Sequence, residues 1–160
     1  MITLLTKSAD DTRELGTAIA SVVGSGDVVL LAGDLGAGKT TLTQGFARGL
    51  GVEEPVTSPT FVLMRPYEGR LPLVHVDAYR LEHLQEVIDL GLAEMVDDGA
   101  IAVIEWGDVV APVLPPDFLE LRLEYGDDDD ERRIGLRFVG VRWAARTAAV
   151  QRIVERWSTS

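Results

Sequence analysis

The sequence predicts an α/β fold: a mostly parallel central sheet flanked by helices, with an antiparallel hairpin. Three observations carry that expectation. "VVLLA" (28–32) is a continuous apolar run, as expected of a strand covered on both faces of a parallel sheet. It passes through the glycine-rich "GDLGAGKTT" (33–41) into a segment with helical periodicity, and a strand, glycine loop and helix in succession belong to α/β architecture. A second buried run, "AIAVIEW", and the alternating pair "FLELRLEY" and "RRIGLRFV" around "GDDDDE" supply another core strand and the hairpin.

Each element follows from local pattern. "ITLLT" reads as a first strand. Asp10 to Val23 reads as a helix with Leu15, Ile19 and Val22 on one face, broken by "GSGD". The helix opened by Lys39 runs to Leu50 and stops at Gly51. "TFVLMRPY" and "LPLVHVDAY" are strand-like, with a turn around "EGR". Leu84 to Val96 is helical with a break near Gly91, and "VLPPD" is a loop. Val150, Ile153, Val154 and Trp157 form an i, i+3, i+4, i+7 stripe on a last helix, read as core rather than as a docking face.

The 160 residues suit one domain spanning 1–160, and 46% hydrophobic content suits a globular core. No apolar run approaches the roughly 20 residues that cross a bilayer, and the N-terminus turns acidic without an apolar leader. No membrane partner is expected. Cysteine is absent, which excludes disulfides, thiolate metal sites and cysteine nucleophiles and fits a reducing compartment; the expected location is cytoplasmic. A net charge of −11 repels a phosphate backbone. The candidates for a local basic patch are Arg132, Arg133, Arg137, Arg142 and Arg146, read as a solvated hairpin and helix face. The acidic run Asp127 to Asp130 is read as a solvated turn.

Residues 33 to 40 match G-x-x-x-x-G-K-[ST] in full. Gly33, Gly36 and Gly38 admit backbone conformations that a Cβ blocks. Successive N–H groups then face inward as a nest for phosphate oxygens, and the helix start adds its unsatisfied N–H groups and positive dipole end. The fold expected is therefore P-loop NTPase-like, with Gly33, Asp34, Leu35, Gly36, Ala37, Gly38, Lys39, Thr40 and Thr41 contacting a nucleoside triphosphate. The chain has only two lysines, Lys7 and Lys39. A compact ammonium on a flexible stem suits the β- and γ-phosphates better than arginine's planar fork. The Thr40 hydroxyl is placed to ligate Mg²⁺.

A P-loop needs an acidic partner for its metal. "AIAVIE" delivers Glu105 at a strand end and "LPLVHVD" delivers Asp77. Glu105 reads either as a metal-sphere ligand or as the base that orients water. Asp77 holds Mg²⁺, directly or through water. His75 alternates with Asp77 and either lines the site or packs as a hydrogen-bonded histidine. Trp106 either shields the site or is a core or edge aromatic. In "VTSPTF", Ser58 and Thr60 offer hydroxyls where P-loop proteins sense the γ-phosphate. Arg80 either reaches a phosphate or forms an ion pair.

"GDLGAGKTT", "TSPTF", "HVDAYRL" and "IEWGD", in this order, resemble the TsaE (YjeE) family, the ATPase component of bacterial tRNA threonylcarbamoyladenosine (t6A) synthesis. The resemblance covers nearly the whole chain. It implies ATP and Mg²⁺ as cofactors, Thr40, Asp77 and Glu105 as metal-associated residues, and Lys39, Asp77 and Glu105 as catalytic. It places the S-P-T motif, with Thr60, beside the nucleotide and the family tryptophan on Trp106. Family nucleotide contacts near the N-terminus and in the late hairpin would fall near Asp10 and Arg133. The family pattern differs at Ala78, where leucine is frequent, and at the "GD" after Trp106, where proline and an acid are common. By resemblance the chain is a switch that binds ATP, docks on TsaB and TsaD, and resets that transferase by hydrolysis, with tRNA met only through the complex. The alternatives are a small-molecule P-loop kinase, for which no long arginine-bearing lid is visible, and a non-hydrolysing nucleotide-binding scaffold.

Overall fold

A computed structural model describes residues 2–34, 36–57, 64–78, 85–87, 89–105 and 116–159. The strands are β1 (Ile2–Thr6), β2 (Val28–Gly33), β3 (Met64–Glu68), β4 (Pro72–Asp77), β5 (Ile101–Glu105), β6 (Phe118–Tyr125) and β7 (Arg132–Val139). They form one sheet in the order β1-β7-β6-β2-β5-β4-β3. The central four, β6, β2, β5 and β4, run parallel. Antiparallel pairs close both flanks: β7 and β1 on one side, β3 on the other. Every side chain of β5 is buried, as are the first five of β2, because helices cover both faces of the parallel core.

The helices are α1 (Ala9–Ala20), α2 (Lys39–Gly49), α3 (Leu92–Asp97), α4 (Val141–Ala144) and α5 (Thr147–Ile153), followed by a 3₁₀ turn at Glu155–Trp157. Ser8 caps α1 by accepting the Asp11 amide at 3.0 Å, and Asp10 and Asp11 lie at its positive end. One sheet face packs Val29, Leu31, Val103 and Leu121 against Leu15, Ile19, Leu42 and Phe46 of α1 and α2. The opposite face packs Val28, Leu30, Ala102 and Ile104 against Leu92 and Val96 of α3. Gly91, at φ 83°, ends the preceding helical stretch and starts α3, which is the expected break. Among the described residues, no helix is long and apolar enough to cross a membrane.

The C-terminal stripe is divided between α5 and the 3₁₀ turn rather than carried on one helix. Val150, Val154 and Trp157 are buried and Ile153 packs at the margin. The Trp157 indole N–H donates to Asp11 Oδ1 at 2.8 Å, so the tryptophan is a core residue with its polar edge satisfied. Ser158 bridges to Leu4, and the Thr159 amide donates to Thr3 O at 3.1 Å, laying this segment along β1. Asp27 is buried at the start of β2. It is satisfied by the Gly24 amide at 2.6 Å, Arg146 at 2.5 Å and Arg142 at 2.9 Å, as a buried carboxylate requires.

Helices α1 and α2 touch backbone to backbone. A Cβ on Gly45 would lie 1.8 Å from Arg13 O, and one on Gly16 would lie 2.3 Å from Leu42 O. Thr17 Oγ1 donates to Gly45 O at 2.8 Å across the same seam. Alanine at 45 gains about 1 kcal/mol of helix propensity but must push two rigid backbones apart. The expected outcome of Gly45→Ala is a net loss of roughly 3 kcal/mol, read as a lower urea midpoint with an unchanged slope.

Candidate functional site

The site lies where β2, β4 and β5 end on the sheet face covered by α1 and α2. Gly33, the last residue of β2, pairs with Leu123 of β6, and a Cβ there would sit 2.5 Å from Leu123 O. Gly36 (φ 82°) and Gly38 (φ 105°) occupy the left-handed region, where a side chain is strained. Gly38 is the N-cap of α2 and makes no side-chain cap bond. The loop therefore leads into α2 with no side chain capping its positive end.

Lys39, the first residue of α2, is only 6% exposed. Its Nζ donates to Gly33 O at 2.6 Å and to Asp34 O at 3.3 Å. Burial pushes its pKa below the ordinary 10.5, while the carboxylates of Glu105, Asp77 and Asp34 pull in the opposite direction. Partial dehydration leaves the ammonium well suited to an anion brought beside it.

Glu105 ends β5, in register with Leu31 of β2 and Asp77 of β4. It is buried, and Thr40 Oγ1 donates to its Oε1 at 3.1 Å. His75 is fully buried on β4, with Nε2 3.4 Å from Glu105 Oε2. Neither imidazole nitrogen meets hydrogen-bond geometry. The histidine therefore packs in the core and also adjoins the acid, and the hydrogen bond expected of a packed histidine is not made. Parallel pairing of β4 with β5 brings Asp77 and Glu105 together, and α2 delivers Thr40 to them.

Among the described residues, no group of three or more His, Cys, Asp or Glu converges as a metal cage. Mg²⁺ at a phosphate site needs no such cage, because waters and phosphate oxygens complete its octahedron around one or two protein ligands. The Thr40 hydroxyl and Glu105 carboxylate, 3.1 Å apart with Asp77 alongside, fit that requirement.

A cleft of about 80 Å³ continues from the loop between Ala9 and Thr12 of α1 and Asp130 and Arg132 of the β6–β7 hairpin, with Gly36, Gly38 and Thr41 on its floor. Arg132 enters it as a residue the sequence reading placed only in a basic patch. Its Nε donates to Ala37 O at 3.1 Å and its Nη2 to Gly36 O at 3.4 Å. The other candidates for that patch face carboxylates: Arg133 meets Asp127, Arg137 meets Glu120, and Arg142 and Arg146 meet Asp27. The hairpin turn is tied by Glu131 Oε1, which accepts the amides of Asp127 and Asp128. Leu35, Ser58, Pro59, Thr60, Arg80 and Trp106 lie outside the described residues.

Fold and loop together define a P-loop NTPase-like α/β domain. The structure matches a crystal structure of Bacillus subtilis YdiB with a TM-score of 0.78 and 34% sequence identity, over 95% of this chain and 97% of that one. The model of the family "Threonylcarbamoyl adenosine biosynthesis protein TsaE" matches residues 6–134. This chain belongs to the TsaE family. A Streptomyces coelicolor tRNA threonylcarbamoyladenosine biosynthesis protein TsaE is 47% identical over 145 residues, which are 86% of this chain and 97% of that protein. The Bacillus subtilis protein of the same name is 41% identical over 139 residues, 86% of each chain.

Lys39→Met replaces a buried charge with an apolar chain of similar length. The nucleotide-free variant is expected to melt at or above the wild-type Tm. The pH dependence of stability gives a second readout. Between its lowered native pKa and 10.5, Lys39 binds more proton in the unfolded chain than in the native one, so wild-type stability gains from rising pH in that window. The variant lacks that increment, and the difference between the two urea-unfolding curves across alkaline pH measures it.

Proposed function

We propose that this chain is the Mg²⁺-dependent ATP-binding and ATP-hydrolysing subunit of t6A synthesis, and that nucleotide state switches its docking on TsaB and TsaD and resets that transferase. The observation that carries this reading is the convergence at one loop of a dehydrated ammonium, a helix start without a side-chain cap and a hydroxyl–carboxylate pair. The family names supply the pathway.

In this reading the amides of the 33–41 loop bind the phosphate oxygens, with Asp34, Leu35, Ala37 and Thr41 contributing alongside the three glycines. Lys39 exchanges its bonds to Gly33 O and Asp34 O for the β- and γ-phosphates, replacing partial carbonyl charge with full anionic charge. Thr40 and Glu105 hold Mg²⁺, with Asp77 bonding it directly or through water. When bound, the ion neutralises phosphate charge. Glu105 is also the group positioned to orient water, with His75 packed beside its carboxylate. By the family resemblance Thr60 is a further nucleotide contact. The negative surface leaves tRNA to the partner proteins, and the working compartment is the cytoplasm.

The test is reconstitution of t6A formation with TsaB, TsaD and tRNA, with and without this chain and ATP. Omitting either is expected to stop multiple turnover. A P-loop kinase would instead consume ATP only with a small-molecule acceptor, and a scaffold would bind ATP without releasing phosphate in the assembled complex. Lys39→Ala is expected to abolish nucleotide-dependent function. Glu105→Ala is expected to retain ATP binding and lose at least about a hundredfold in phosphate release, measured in single-turnover assays.

A further inference from the structure

We propose that Arg132 is a positioning residue that braces the loop before any nucleotide arrives, holding the carbonyls of Gly36 and Ala37 so that the turn closed by the Ala37 amide on Asp34 O, at 3.0 Å, keeps its phosphate-binding shape. The proposal rests on the reading of this loop as a phosphate cradle. It assigns the guanidinium to the loop backbone, which is a different role from contact with the nucleotide.

The geometry is specific. In a nest the amides line the concave side, so the carbonyls emerge on the convex side. There the Arg132 Nε meets Ala37 O at 3.1 Å and Nη2 meets Gly36 O at 3.4 Å. The other edge of the same planar group is fixed, because Nη1 donates to Asp129 O at 2.6 Å and Glu131 O at 2.7 Å. The guanidinium carbon lies 4.6 Å from the centroid of the Tyr125 ring, a cation–π contact that sets the tilt of the plane. Tyr125 Oη is also the atom nearest a Cβ built on Gly36, at 2.8 Å, and Arg132 Cγ and Nε lie 4.0 Å from one on Gly38. One fork thus ties two carbonyls of a glycine-rich loop to the hairpin turn. A lysine has no planar fork with which to span both sides. Glycine-rich backbone loses more entropy on ordering than any other, so a loop left loose would incur that cost at each binding event.

The experiment is hydrogen–deuterium exchange on the nucleotide-free full chain, followed at the Ala37 amide, which donates to Asp34 O at 3.0 Å, together with Mg-ATP titration. Arg132→Ala is expected to speed exchange at this amide at least tenfold while amides of β2 and α2 beyond the first turn keep their wild-type rates. Mg-ATP affinity is expected to fall about tenfold. If Arg132→Ala does not fold, Arg132→Lys gives the same reading, with a rise of threefold or more. Unchanged exchange in the nucleotide-free variant overturns the proposal, even with weakened binding, because the side chain then acts on the nucleotide alone. Faster exchange with wild-type affinity also overturns it. Faster exchange in a protein whose wild type takes no Mg-ATP leaves the brace standing and removes the phosphate-cradle reading.

Discussion

The site depends on an ammonium kept partly out of water. Lys39 begins a helix and sits under a loop, where its charge is met by two backbone carbonyls and the field of three carboxylates. Desolvation makes that charge costly to hold, and the same desolvation makes an approaching anion a better partner than water. The fold exists around this arrangement in a literal sense. A strand buried on both faces fixes one end of the loop, and a helix fused to its neighbour through Gly16 and Gly45 fixes the other. With both ends immobile, the loop between them has few ways to relax away from the charge.

Strand order then decides what surrounds the loop. Placing β5 and β4 on one side of β2 brings Glu105 and Asp77 to the side where Thr40 meets Glu105. Placing β6 on the other brings the hairpin, with Tyr125 and Arg132, against the outer rim. A single parallel core therefore separates acidic chemistry on one flank from backbone support on the other.

Much of this was legible in the residues. β1, β2, α1 and α2, the pair β3–β4, β5 and the β6–β7 hairpin follow from apolar periodicity and turn residues, and the loop and its lysine follow from a spaced motif. The carboxylates were found because each ends an apolar run. The role of Arg132 was not legible, because it depends on β6 pairing with β2, which brings Arg132 to Ala37, 95 residues earlier in the chain, and nothing local marks that pairing. His75 was flagged by alternation, but its approach to Glu105 depends on the β4–β5 register. The C-terminal stripe had the right members and the wrong carrier. α5 ends at Ile153 and a 3₁₀ turn takes over, so tertiary contacts of Val154 and Trp157 decide the backbone there.

The two margins of the sheet are guarded by different means. An outermost strand offers a row of unused amides and carbonyls, an invitation to another chain. At β3 the deterrent is compositional, since Pro66 removes a donor and Arg65 and Glu68 place charge along the rim. At β1, "ITLLT" has neither proline nor charge, and the deterrent is physical cover by Ser158 and Thr159. Loss of that cover would therefore appear as self-association of otherwise folded molecules before it appeared as unfolding. The indole bond to Asp11 thus serves solubility as well as the core, because it anchors the segment that hides the margin.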